Sequence, residues 1–207
     1  MDGVLCDSEP FIAAAAIRML SETYGIRAIR EDFVPFIGTG EDRFIGGVAE
    51  KYGKQITLPR DKDRTYAIYL ECIKGKLRPL AGAHEFIGEA RRCGLRLAIA
   101  SSADGIKVRG NLDEIGIPFS FFDAVVCGGD VARKKPAPDI FLHAAQKIGV
   151  DPRRAIVVED AVSGIQAAVA AGCLPLGITS TFPAERLRSE GALWTAPDLA
   201  RAFQTNV

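Results

Sequence analysis

The sequence predicts an α/β fold in which a parallel β-sheet is covered by helices on both faces. Two observations carry this prediction. From Ala83 onward, short β-rich runs alternate with runs whose apolar residues recur at helical spacing, which is the pattern of consecutive strand–helix–strand units. Residues 11–78 instead show helical patterns broken by several glycines and prolines, without a convincing strand. We therefore expect an all-helical insert between the opening residues and the main sheet.

The predicted strands are short and nearly continuous in apolar residues, as expected for strands covered on both faces. In chain order they are residues 95–102, 122–129, 155–160 and 174–180, with 192–194 as a shorter edge candidate.

Helices are predicted between these strands and throughout the insert. In residues 139–149, apolar side chains recur at helical spacing and Gly149 supplies the left-handed stop. In residues 163–172, Ser163 is the expected N-cap and Gly172 the expected stop. The insert shows helical patterns in residues 11–25 and 64–75. The expected domains are therefore a core of residues 1–10 and 79–207 and a helical domain of residues 11–78.

Composition excludes several classes of function. The 26 Lys and Arg balance the 26 Asp and Glu, so nothing favours nucleic acid or an anionic membrane as a partner. The five cysteines are scattered and the two histidines have no His or Cys partner at ligand spacing, which argues against disulfides, zinc and a Ser-His-Asp site. No apolar run approaches the roughly 20 residues of a membrane helix. We expect a soluble protein, monomeric, in a reducing compartment.

Polar residues follow successive predicted strands, where ligands of open parallel sheets bind. Taken singly, Ser101 fits a helix N-cap and the Lys134–Lys135 pair fits a solvated loop. Glu159 and Asp160 are different, because adjacent carboxylates after a buried strand repel each other unless a cation lies nearby. Mg²⁺ prefers one or two carboxylates with waters and a phosphate oxygen. Together with Asp2, these residues predict a phosphate-handling site.

Four segments of the chain resemble the motifs of a known family in their order and spacing. They are DGVLCDSEP (residues 2–10), IASS (99–102), KKPAPDIF (134–141) and VVEDAVSGIQAA (157–168). They resemble the four motifs of the haloacid dehalogenase-like hydrolase superfamily, in the branch of β-phosphoglucomutase and of sugar-phosphate and phosphoglycolate phosphatases. Residues 32–49 and 100–112 are similar to the hydrolase-like domain of a plant chloroplast protein. The resemblance implies a Rossmann-like core with a helical cap, in the cytoplasm or the chloroplast stroma.

The resemblance also implies a role for each matching residue. Asp2 is the general acid and base, and its backbone carbonyl contacts the metal. Ser101 holds the transferring phosphoryl group, and Lys135 neutralises the nucleophile and the phosphate. Mg²⁺ is the implied cofactor, with Asp160 as its principal carboxylate and Glu159 as a direct or water-mediated ligand. In the cap, the substrate loop falls on Gly38, Thr39, Gly40 and Arg43, with Ser102 opposite it in the core.

The chain departs from the family at its first motif and in its cap. The family motif is Asp-x-Asp-Gly, and Met1 occupies its middle position, so the aspartate nucleophile and the first core strand are expected to be absent from the chain as given. β-Phosphoglucomutase has a cap arginine where this chain has Glu41 and a cap histidine where it has Ile12, which argues against mutase activity.

Two functions follow as alternatives. The first is a Mg²⁺-dependent phosphatase that acts on a small phosphorylated metabolite through an aspartyl-phosphate, with its nucleophile two residues before Asp2. The second is a catalytically silent domain that uses the same fold for interaction or regulation. A third possibility, the dehalogenation of small acids, is less well supported, because the Asp-Gly-Val opening and the acidic metal-binding pair suit a phosphate substrate.

Overall fold

The computed structural model describes residues 1–202 and confirms an α/β fold with parallel strands. Five short strands alternate with helices in the second part of this described range. Their bounds are β1 Ala98–Ala100, β2 Ala124–Val126, β3 Ile156–Glu159, β4 Leu174–Ile178 and β5 Trp194–Ala196.

The α-helices fall into two groups. The first three fall in the predicted insert, apart from the first two residues of α1, and the others flank the strands. Their bounds are α1 Glu9–Tyr24, α2 Glu41–Lys51, α3 Arg60–Ile73, α4 Ala83–Arg92, α5 Gly105–Glu114, α6 Asp139–Lys147, α7 Val162–Ala170, α8 Ala184–Ser189 and α9 Leu199–Ala202. Within the described range, no helix is both long enough and apolar enough to cross a bilayer.

The parallel strands form two sheets in the described residues. Strand β1 pairs with β2, and β4 lies between β3 and β5. A cavity of about 1020 Å³ lies between the two sheets and is lined by residues of both β1 and β3, by Met1, and by apolar side chains such as Phe141 and Leu176. Strands β1 and β3 thus flank one cavity, and the polar residues that follow these strands line a second cleft, which shares Met1 and Ala100 with it.

Each predicted strand overlaps an observed one: the first four observed strands are shorter than predicted, the edge strand is shifted, and one predicted helix cap is wrong. The edge strand was predicted at 192–194 and lies at Trp194–Ala196, because the Ala192 amide donates to the Leu187 carbonyl at 3.1 Å and ends helix α8. Ser163 is not the N-cap of α7. Only two residues separate β3 from this helix, which begins at Val162 with Ala161 as its cap. The Ser163 hydroxyl lies buried without a hydrogen-bond partner among the described residues.

The helical segment packs as a unit of its own and also contacts the core. Helix α1 packs against α3, and α2 packs against a 3₁₀ helix at Arg30–Phe36. Helix α3 also packs against α5, which follows β1. There the Tyr69 hydroxyl donates to the Asn111 side chain, and Lys62 pairs with Asp104 at 2.8 Å. These contacts hold the helical segment over the carboxyl end of β1.

Asp32 is the polar centre of the outer part of the helical segment. Its buried carboxylate accepts hydrogen bonds from the Lys51 ammonium, from the Tyr52 hydroxyl at 2.6 Å and from the Ile29 amide at 3.0 Å. These hydrogen bonds, with that of Lys51 the strongest cause, lower the pKa of Asp32 to about 2. Because the folded pKa lies below the unfolded one, Asp32 stabilises the fold above the unfolded pKa, and this contribution is lost as the pH falls toward 2.

We expect Asp32→Asn to lower the free energy of unfolding at pH 7 by about 1 to 3 kcal/mol, because three donors lose a charged acceptor. The difference between variant and wild type should shrink below about pH 4. Urea unfolding at several pH values measures both effects. Asp63→Asn, at an exposed position of α3, is the matched control. A pH-independent difference would contradict this account.

Candidate active site

One cleft at the carboxyl ends of the strands collects most of the predicted site residues. Its volume is about 90 Å³. Four separate chain segments of the core contribute to it: the opening loop, the segment after β1, the loop before α6 and the end of β3. The predicted residues that line it are Asp2, Gly38, Gly40, Ser101, Ser102, Lys135, Glu159 and Asp160.

Ser101 and Lys135 are held in place before any ligand binds. The Ser101 amide continues the β1–β2 ladder by donating to the Val126 carbonyl at 3.0 Å, and the Ala103 amide donates to the Ser101 hydroxyl oxygen at 3.2 Å. The hydroxyl hydrogen can therefore point into the cleft. The Lys135 ammonium donates to Glu159 at 3.1 Å and lies 4.9 Å from the centre of the Phe141 ring. Both residues are buried.

Glu159 and Asp160 form a buried acidic pair whose position depends on two glycines. A Cβ atom at Gly164 would lie 2.0 Å from a Glu159 oxygen, and one at Gly3 would lie 1.9 Å from an Asp160 oxygen. Burial, followed by the charge of Glu159, raises the pKa of Asp160 to about 7. The Thr181 hydroxyl donates to the Asp160 carboxylate.

The acidic pair fits a divalent cation. Among the described residues no cluster of three or more His, Cys, Asp or Glu side chains could hold a metal. Mg²⁺ does not require one, since it is typically bound by one or two carboxylates, waters and a phosphate oxygen. Two adjacent buried carboxylates next to the opening loop are such a donor set, and a cation between them would relieve the repulsion that raises the Asp160 pKa.

The Asp2 carboxylate is oriented by three donors. One oxygen accepts from the Ser8 hydroxyl and from the Asn111 amide at 3.0 Å, and the other accepts from the Lys107 ammonium at 3.3 Å. Burial would raise the pKa of Asp2, but the charge of Lys107, followed by the charge of the Met1 ammonium and the hydrogen bond from Ser8, outweighs it, and the pKa is lowered. The side chain is therefore fixed in one orientation at the edge of the cleft.

Lys107 was missed by the sequence analysis. It is only 4 % exposed, and its ammonium bridges Asp2 at 3.3 Å and Glu41 at 3.2 Å. Burial would lower its pKa, but these two carboxylates raise it well above its usual value. A signal was present, because Lys107 and Asn111 lie four residues apart on the same helix face beside buried Val108 and Leu112. Polar residues at that spacing in a buried stripe indicate a polar network.

Glu41 and Glu9 also line the cleft although neither was assigned a function. Burial raises the pKa of both, that of Glu9 to about 7. Of the two Glu41 oxygens, Oε1 accepts from Lys107, whereas Oε2 is buried and has no hydrogen-bond partner among the described residues.

Thr39 and Arg43 are the two predicted substrate-loop residues that lie outside the lining of the cleft. The Thr39 hydroxyl donates to the Phe36 carbonyl at 2.7 Å. Arg43 pairs with Glu50 at 2.7 Å and lies 5.1 Å from the centre of the Phe36 ring. Their part in substrate binding stays a prediction. Lys134 is exposed, as expected for the neighbour of Lys135, and donates to the Gly128 carbonyl.

We expect Lys107→Met to lower the free energy of unfolding by about 3 to 5 kcal/mol, because the buried Glu41 and the partly buried Asp2 lose their shared cation. Thermal or urea unfolding at pH 7 measures the loss. Lys147→Met, at an exposed position of α6, should change stability by less than about 0.5 kcal/mol. An equal loss in the two variants would show that the bridge is not the cause.

Comparison with known proteins identifies relatives whose sequences align with nearly the whole of this chain. It is 40% identical over 202 residues to the chloroplastic protein Suppressor of Quenching 1 of Arabidopsis thaliana, which confirms the predicted likeness; the match covers 96% of this chain but only 19% of that protein. It is 28% identical over 210 residues to a phosphoglycolate phosphatase of Neisseria meningitidis, covering 96% of this chain and 85% of that enzyme.

Solved structures share the fold. CbbY from Rhodobacter sphaeroides, crystallised in complex with phosphate, superposes with a TM-score of 0.81 at 25% identity, over 97% of this chain and 92% of CbbY. The family model of the haloacid dehalogenase-like hydrolases matches residues 1–172, a range that contains every predicted site residue. The chain therefore belongs to the haloacid dehalogenase-like hydrolase family.

Proposed function

We propose that this protein is a Mg²⁺-dependent phosphatase that hydrolyses the monoester of a small phosphorylated metabolite. The observation that carries the proposal is the convergence of Asp2, Ser101, Lys135 and the Glu159–Asp160 pair on one cleft of about 90 Å³. Phosphoryl transfer depends mainly on positioning and charge neutralisation, and this set supplies both. The small volume favours a compact substrate, since sites for drug-sized ligands occupy about 300 to 1,000 Å³.

The core residues divide the work of binding. The Ser101 hydroxyl donates to a phosphoryl oxygen. The Lys135 ammonium lies 3.1 Å from Glu159 and neutralises negative charge on the nucleophile and on the phosphate. Glu159, Asp160 and the Asp2 carbonyl would hold Mg²⁺, which when bound supplies positive charge to the phosphoryl oxygens. The phosphoryl group is thereby fixed beside Asp2.

Asp2 then serves as the general acid and base. In the first step an oxygen of the aspartate nucleophile forms a bond to phosphorus and the bond from phosphorus to the ester oxygen breaks. Asp2, which takes up a proton from solvent when the anionic ester enters the cleft, donates that proton to the ester oxygen. In the second step Asp2 takes a proton from water, which displaces the aspartate and releases inorganic phosphate. The hydrogen bonds from Ser8, Asn111 and Lys107 keep the Asp2 carboxylate in position for both steps.

The aspartate nucleophile belongs two residues before Asp2 in this proposal. It would end a strand that lies between β1 and β3, and the cavity of about 1020 Å³ lined by both strands and by Met1 supports that position. A domain without this residue would keep the cleft and lose the chemistry. This is the alternative of a silent domain, in which bound phosphate serves recognition only.

We expect a chain with a short β-rich extension ending in Phe-Asp before Met1 to release phosphate from small phosphomonoesters only when MgCl₂ is present. Asp2→Asn in this extended chain should lower the rate about 10²- to 10⁴-fold, because the proton donor is lost. A phosphate-release assay with residues 1–207, the extended chain and an extension ending in Phe-Ala gives the comparison.

Asp63→Asn is the control for folding and handling in that assay. If the extended chain binds phosphate but hydrolyses none of a broad panel of esters, the proposed phosphatase is wrong and the silent domain is favoured.

We expect Mg²⁺ to raise the thermal midpoint of the wild type, because a cation that binds only the folded state stabilises it. Asp160→Asn should abolish this response and should itself be more stable than the wild type without metal, because the repulsion with Glu159 is removed. Calorimetric scans with and without MgCl₂ test both points. Asp113→Asn, at an exposed position, should respond to Mg²⁺ like the wild type, and an undiminished response in Asp160→Asn would contradict the assignment.

A further inference from the structure

We propose that Thr181 is a positioning residue that makes the acidic pair select Mg²⁺ over Ca²⁺. Its hydroxyl occupies one oxygen of Asp160, so the carboxylate offers only its other oxygen to a cation. This inference rests on the proposed function, in which Glu159 and Asp160 hold the metal. Thr181 itself lies outside the four motifs of the sequence, which end at residue 168.

The loop after β4 brings Thr181 to the acidic pair. Strand β4 ends at Ile178 and pairs in parallel with β3, whose last residue is Glu159. The residues that follow these two strands therefore emerge side by side at the same edge of the sheet. Thr181 lines the cleft, and its hydroxyl donates to Oδ2 of Asp160.

A second hydroxyl of the same loop holds the opening loop against Asp160. The Ser180 hydroxyl donates to the Gly3 carbonyl, and the Gly3 amide donates to the Cys6 carbonyl at 2.8 Å. Gly3 is thus fixed on both sides, and it lies so close to Asp160 that a Cβ atom there would meet Oδ2 at 1.9 Å. Between Gly3 and Thr181, the Asp160 carboxylate has little freedom to turn.

Each carboxylate of the pair keeps one oxygen for a ligand. Thr181 donates to Oδ2 of Asp160, and the Lys135 ammonium donates to Oε2 of Glu159 at 3.1 Å. The other two oxygens, Oδ1 of Asp160 and Oε1 of Glu159, have no hydrogen-bond donor within residues 1–202, and neither is fully buried. Both residues line the cleft, so the pair presents two single oxygens to a cation there.

This arrangement suits Mg²⁺ better than Ca²⁺ because the two cations use carboxylates differently. Mg²⁺ requires a nearly octahedral shell, keeps several waters and takes one or two carboxylates. Ca²⁺ takes about six to eight oxygens in a flexible shell and can bind both oxygens of one carboxylate. Asp160 cannot bind Ca²⁺ through both oxygens without losing the hydrogen bond from Thr181, whereas binding Mg²⁺ through Oδ1 leaves that hydrogen bond intact.

We expect Thr181→Val to weaken Mg²⁺ binding about 10- to 100-fold, as is typical when a residue that orients a metal ligand is removed. Ca²⁺ binding should weaken much less, because Oδ2 becomes available to that cation. Thr181→Ser keeps the hydroxyl and should keep the Mg²⁺ preference of the wild type. Thr57→Val, at another exposed position, is the matched control. Thr181 is itself exposed, so its variants are expected to fold, and Thr181→Ala replaces Thr181→Val if the latter does not.

Thermal unfolding of residues 1–207 measures both affinities without requiring turnover. The rise of the thermal midpoint with the concentration of MgCl₂ or CaCl₂ yields an apparent dissociation constant for each cation, and KCl keeps the ionic strength constant. The ratio of the two constants decides the test, because a change in fold stability or in the charge of Asp160 affects both cations alike.

The outcomes separate this inference from the proposed function. If the wild type binds Mg²⁺ and Thr181→Val changes the affinities for both cations equally, or changes neither, the positioning role is wrong and the proposed metal site stands. The same conclusion follows if the wild type binds Ca²⁺ as tightly as Mg²⁺. If the wild type binds neither cation, the metal site of the proposed function fails together with the role of Thr181.

Discussion

The geometry of the cleft depends on the ion pairs that the Lys107 ammonium makes with Asp2 and Glu41. It lies on a core helix and binds Asp2 of the opening loop and Glu41 of the helical segment, so a single cation ties three separate parts of the chain together. Buried carboxylates are tolerated only when they are paired and hydrogen-bonded. Because both partners depend on one lysine, the position of helix α2 and the orientation of Asp2 are coupled.

The balance of charge in the cleft explains why the site suits a metal-assisted reaction. Asp2, Glu41, Glu159 and Asp160 line it together with Lys107 and Lys135, so carboxylates outnumber ammonium groups there. A phosphate ester would add further negative charge to this region. In the proposed function, a divalent cation held by the acidic pair would offset the carboxylates and attract the phosphoryl oxygens. Lys107 and Lys135 already pair with individual carboxylates, so in that proposal they would not have to bind the substrate alone.

Most of the core was predictable because its signals are local. Continuous apolar runs located β1 to β4, and positive φ angles at Gly149 and Gly172 match the helix stops read from the sequence. The convergence of Ser101, Lys135 and Asp160 was also predictable, because parallel strands bring their carboxyl ends to one edge. The Ser163 cap was wrong because the two-residue connection after β3, and not the capping preference of serine, sets the start of α7.

The sequence by itself determined the α/β class, the helical segment and most of the polar residues that line the cleft, because strand periodicity and strand-end chemistry are encoded over a few neighbouring residues. Only the tertiary structure decided that Lys107 lies between Asp2 and Glu41 and that one Glu41 oxygen is left without a donor. These facts depend on contacts between distant parts of the chain, because Lys107 lies 66 residues from Glu41 and 105 residues from Asp2 in the sequence. No local pattern specifies which buried charges meet, because the pairing is settled by how the helical segment packs on the core.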